Sequence, residues 1–142
     1  MLTAKELQAK IAAAQAAKAS EAMKHLQAEE AEKKALMDRL SKPSGLTDEE
    51  VIAKASTIVS RAVENGLLSV QVFRFPNHLC TDNGRAINQR EEGWEKTLTG
   101  IPKELYEFFK RQLEPRGYHI RYEILDYPGG MPGDVVVTIA WG

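Results

Sequence analysis

An α+β fold is predicted: one long N-terminal helix, then a small three-stranded sheet, mixed or antiparallel, with helices packed on one face. Three observations carry it. Residues 3–41 are built almost entirely from Ala, Leu, Met, Gln, Glu and Lys, which enter a helix at little free-energy cost. Two apolar stretches in the last quarter alternate or run continuously as strands do, with a dense Pro/Gly turn between them. The remainder offers two amphipathic helical patterns and one more strand.

Taken in order, Thr3 and Glu6 form a capping box at the start of the long helix, and Lys42-Pro43-Ser44-Gly45 stops it. Glu6 to Lys10, Glu29 to Lys33 and Glu30 to Lys34 are spaced for i,i+4 ion pairs. Its apolar pattern is thin: Leu7, Ile11 and Ala14 continue through alanines to Met23 and Leu26, and Met37 and Leu40 close it. A leucine-type coiled coil wants large residues at both seam positions, yet alanine faces also let helices approach closely. The helix is therefore read as an association or docking element, against the alternatives of a helix folded onto its own domain or a frayed end.

Leu46-Thr47-Asp48-Glu49-Glu50-Val51 opens the next helix, with Thr47 as cap and Leu46 against Val51 as a hydrophobic staple. Val51, Ile52, Ala55, Ile58, Val59, Ala62 and Val63 then repeat at helical spacing and predict one buried face, ended at Asn65-Gly66. Residues 67–75 read as a strand closed by Pro76. A helix from Pro102 carries Leu105, Tyr106, Phe108, Phe109 and Leu113, a wide aromatic face suited to a sheet. Residues 118–127 alternate, one face apolar and one wet. Residues 135–141 begin Val-Val-Val, which places this strand at the centre of the sheet, antiparallel to its predecessor and covered on both sides. The expected organisation is an association helix over 1–42, a linker over 43–46 and a small α+β domain over 47–142.

Composition narrows the function classes. Residues 1–42 hold eight Lys/Arg against six Asp/Glu and the rest eleven against fourteen, so neither part offers the basic surface that nucleic acid requires. No stretch approaches the roughly 20 apolar residues of a membrane span. A single cysteine cannot form an internal disulfide, and no secretory or transit signal is legible, so a cytoplasmic location is expected. No GxSxG, P-loop or dinucleotide fingerprint is present. No cofactor and no metal is expected.

One stretch escapes both periodicities: residues 76–100, PNHLCTDNGRAINQREEGWEKTLTG, with the only cysteine and one of the two tryptophans. Segments of this length in a small domain are commonly functional or conceal short helices. Asp82-Asn83-Gly84 is a turn, and Asp82 is placed to cap a short helix from about Arg85 that carries Arg85, Asn88 and Gln89 on one face. Read functionally, Asp82, Arg85, Asn88, His78 and Trp94 are a ligand-binding set; read structurally, they are a cap, a brace and a core plug. His78, Cys80 and Asp82 at spacing two would share one side of an extended chain, too few donors for a zinc site without a second cluster, so Cys80 is read as a buried small hydrophobe. Glu91, Glu92 and Glu95 around Trp94 read as a solvated face. The hairpin loop with Tyr127, Met131 and Asp134 reads first as a well-specified turn, with a second contact surface as the alternative.

The function expected from all this is a non-enzymatic interaction or regulatory protein. Its first helix mediates oligomerisation or partner docking, and its domain presents residues 76–100 to a partner or polar ligand. The partner is a protein or a second copy of the chain, in a homo-oligomer, with neither nucleic acid nor membrane as target. The competing expectation is a small enzyme or anion-binding module centred on His78, Cys80, Asp82, Arg85 and Asn88.

Overall fold

Capping residues set most of the helix boundaries in a computed structural model that describes all 142 residues. The first helix, α1, spans Ala4–Leu40, and its capping box is complete: Glu6 N donates to Thr3 Oγ1 at 3.2 Å and Thr3 N to Glu6 Oε2 at 3.3 Å. The side-chain contact within it is His25 Nε2 to Glu29 Oε1 at 2.9 Å, in place of the three Glu–Lys pairs expected. Long exposed side chains gain too little from pairing in water to hold one geometry. The chain divides into two units, Met1–Leu36 and Met37–Gly142, so the last turn of α1 belongs with the second.

Within the second unit, α2 spans Asp48–Glu64 and starts on Thr47, whose Oγ1 accepts from Glu50 N at 3.2 Å. It ends in a Schellman motif: Leu67 N donates to Ala62 O and Gly66 N to Val63 O, with Gly66 at φ +74°. The sheet has the order β1 (Ser69–Phe75), β3 (Val135–Ala140), β2 (His119–Ile124), and both pairings are antiparallel. The Val-Val-Val strand is the central one, as its composition demands. A bulge between Gln71 and Phe73 shifts the β1 register, so that Val70, Phe73 and Phe75 stand opposite Ile139, Val137 and Val135.

That row and its β2 counterparts Ile120, Tyr122 and Ile124 form the core face. Phe108, Phe109, Leu113 and Ile139 make the buried centre of one end, with Val72, Leu105 and Ile120 against it. Leu105, Phe108, Phe109 and Leu113 come from α4 (Gly100–Phe108), which runs on into a π-helical turn, Phe109–Leu113, and the others from the sheet. The opposite sheet face carries no helix layer. Val136 and Thr138 are buried there beneath Gln71, Arg74, Arg121 and Glu123, whose stems cover the central strand while their heads stay wet. The expected cover on both sides of β3 is thus helical on one face and side-chain stems on the other.

One expectation about the helices needs correction. The apolar face of α2 is only half-buried, with Ala62 alone fully enclosed, because α2 and α4 do not close on each other. Residues 76–100 hold the short helix expected from about Arg85, α3 at Arg85–Gln89, and beside it two 3₁₀ turns, Asn77–Leu79 and Trp94–Thr97. Their apolar residues were too few and too irregularly spaced to register a period, yet Leu79, Cys80, Ala86, Ile87 and Leu98 are all buried.

Candidate functional site

Residues 76–100 are held together from inside. Thr81 N donates to Thr97 O at 2.8 Å, and Cys80 and Leu98 form an isolated antiparallel bridge, so the two ends of the segment pair with each other. Asp82 is the cap its position foretold: its two carboxylate oxygens accept from Gly84 N at 3.1 Å and Ala86 N at 2.9 Å. Those bonds use the backbone donors that an anion would need at the amino end of α3. Arg85 and Asn88 are exposed.

His78 does not lie on an extended lead-in. It sits in the first 3₁₀ turn, exposed, with Nδ1 3.4 Å from Asn83 Oδ1. Cys80 points inward, 2 % exposed, while Asp82 is half-buried over α3, so the three do not share a side. Burial pushes the Cys80 thiol up to about 11, and a thiol so placed holds its proton at neutral pH and is a poor nucleophile. Trp94 is half-buried rather than a core plug, its ring 5.0 Å from that of Tyr122 and 5.5 Å from that of Tyr106. Tyr122 in turn donates its hydroxyl to Pro102 O at 2.8 Å, and burial raises its phenol above the ordinary range.

The segment is also tied to the hairpin loop at residues 125–134. Asn77 Nδ2 donates to Pro132 O at 2.6 Å and to Asn83 O at 3.0 Å, and the Tyr127 hydroxyl donates to Asn88 Oδ1 at 2.6 Å. The loop itself is held by Asp126, whose Oδ1 accepts from Asp134 N at 2.9 Å, and by the Arg74–Asp134 ion pair at 2.7 Å. Asn88 therefore belongs to a joint surface with Tyr127, 53 % exposed, and Met131, 68 % exposed. Two loops that the sequence offered as separate surfaces are one.

A second feature had no signature of its own. Between α2 and α4 lies an open cavity of about 340 Å³. Val51, Ala55 and Ile58 form one wall, Leu105 and Phe108 the other, and Val72 and Ile139 contribute to the lining from the sheet. Its polar rim is tied down. Ser44 donates from Oγ and N to the two oxygens of Glu104, at 2.8 and 3.1 Å. Arg111 Nη2 and Nε reach Asp48 at 2.9 and 3.3 Å, and Gln112 Nε2 reaches it at 3.0 Å. The Arg111 guanidinium, with Gln112 beside it, holds the Asp48 carboxyl below the usual carboxylate range. Arg111 and Gln112 both lie in the π-helical turn, a kind of irregularity frequent at functional sites. The available signal was the make-up of the α2 face, where Ala55 is too small to span the space to α4.

No family model, no curated protein and no solved structure matches this chain. No helix is long and apolar enough to cross a membrane.

Proposed function

We propose that this chain is a non-enzymatic interaction protein in which α1 mediates self-association and the domain of residues 37–142 presents its 76–100 surface to a protein partner. One observation carries the reading. Met1–Leu36 is a unit of its own, and Leu7, Ile11, Met23 and Leu26 along it are 47 %, 58 %, 56 % and 53 % exposed. Most helical stability in proteins comes from packing an amphipathic face, and these side chains, flanked by close-approach alanines, have that packing to gain from a second copy. On the domain, the surface shared by Asn88, Tyr127 and Met131 supports the second half of the reading, since exposed aromatic and methionine side chains braced by hydrogen bonds are common at interfaces.

Light scattering on the full chain and on residues 37–142 tests the association. The full chain is expected at a multiple of 15.8 kDa and the shortened one as a monomer. Equal states of association for the two would remove α1 from the role.

A further inference from the structure

We propose that the cavity between α2 and α4 binds a small amphiphilic carboxylate, with an aliphatic or single-ring body in the cavity and its anionic head at the rim beside Lys54. The volume, about 340 Å³, falls within the roughly 300–1,000 Å³ of small-molecule sites, and such sites combine apolar walls with a few placed polar groups. This inference is independent of whether α1 associates.

The width of the cavity is set by polar ties rather than by packing. Ser44 to Glu104 and Asp48 to Arg111 and Gln112 each join α2 or the linker before it to α4 or its π-helical turn. Apolar walls held apart in this way leave Val51, Ile58 and Leu105 only half-buried at the cavity, and an apolar body of matching size relieves that exposure. A partner helix would need a longer groove open at both ends, whereas here the linker residues Ser44 and Leu46 help line the cavity.

The head follows from the rim charges. Asp48 is paired with Arg111, and Glu104 keeps its charge but is held by both oxygens on donors from Ser44. Lys54 is the one charged rim residue with neither an ion pair nor a side-chain hydrogen bond, and it is exposed, so a carboxylate can meet it without losing its own hydration. This unpaired cation, free to move to a bound head group while Glu104 is tied back, favours an acid over an alcohol or an amine of the same length.

The test uses the full chain and three probes of one chain length, octanoate, octanol and octylammonium, titrated by nuclear magnetic resonance. Octanoate is expected to bind with contacts to Phe108 and Ile139, and octanol about fivefold more weakly, the reach of an exposed ion pair. Octylammonium is expected to be the weakest, and Lys54→Glu to reverse the order of acid and amine. Ala55→Phe, which fills the cavity, is expected to weaken octanoate by about tenfold or more. The contacts of octanoate with the unaltered chain decide the matter if that variant fails to fold. Equal binding of the three probes, contacts elsewhere on the chain, no binding at about 1 mM, or a groove protected by a second copy in place of the acid overturns the proposal.

Discussion

Gly100 shows how much one residue carries. It starts α4 at φ +60°, and a Cβ there would run into the carbonyl of Leu40 and lie 2.8 Å from the Cα of Ser41. Left-handed strain and a backbone collision each cost about 1–3 kcal/mol, so Gly100→Ala is expected to lower stability by about 2–6 kcal/mol in urea titration. An unchanged midpoint would mean that the last turn of α1 does not pass there. Cys80 makes a different prediction. Its thiol is held at about 11 in the folded chain against an ordinary 9.0, so the folded state keeps a proton that the unfolded state releases. Stability is therefore complete below pH 9 and falls as pH rises towards 11, by up to about 1.4 kcal/mol per pH unit. Cys80→Ala should flatten that dependence. The Asp82 cap could be read from Asp-Asn-Gly before a helical stretch, because a cap is a local matter. Cys80 was expected to be a buried small hydrophobe and is one, but its pairing with Leu98, eighteen residues on, had no local signal.

Elements are where reading the sequence succeeded most and where one of its misjudgements had consequences. Every long helix and strand was legible, α1 from its helix-favouring composition and the others from an apolar pattern between capping or turn residues. The central place of β3 followed from three successive valines. The half-open face of α2 was not legible: periodicity shows which side of a helix is apolar but not how closely its neighbour approaches. Two predictions belong here. Asp82→Ala removes a cap for two backbone amides and should cost about 1 kcal/mol, seen as faster amide exchange across α3. Asp48, held below its ordinary 3.8 by Arg111, stabilises the docking of α2 above that pH and ceases to as pH falls through its lowered value. Amide exchange in α2 should accordingly quicken in acid before the sheet opens, and Asp48→Asn should show the faster rate already at neutral pH.

For the whole molecule, the α+β architecture was readable, and so was the position of the long helix at the front of the chain. What α1 packs against was beyond sequence reasoning, because an alanine-rich pattern is compatible with many neighbours and specifies none. The exposed apolar residues of α1 support the association reading, and the joined surface of α3 and the hairpin loop supports a partner for the domain. Self-association is the central claim, and sedimentation equilibrium of the full chain beside an Ile11→Glu, Leu26→Glu double variant tests it most directly. The account predicts a mass above 15.8 kDa that grows with concentration in the unaltered chain and a return to 15.8 kDa in the variant, with the domain still folded. A mass of 15.8 kDa for the unaltered chain at every concentration would contradict it.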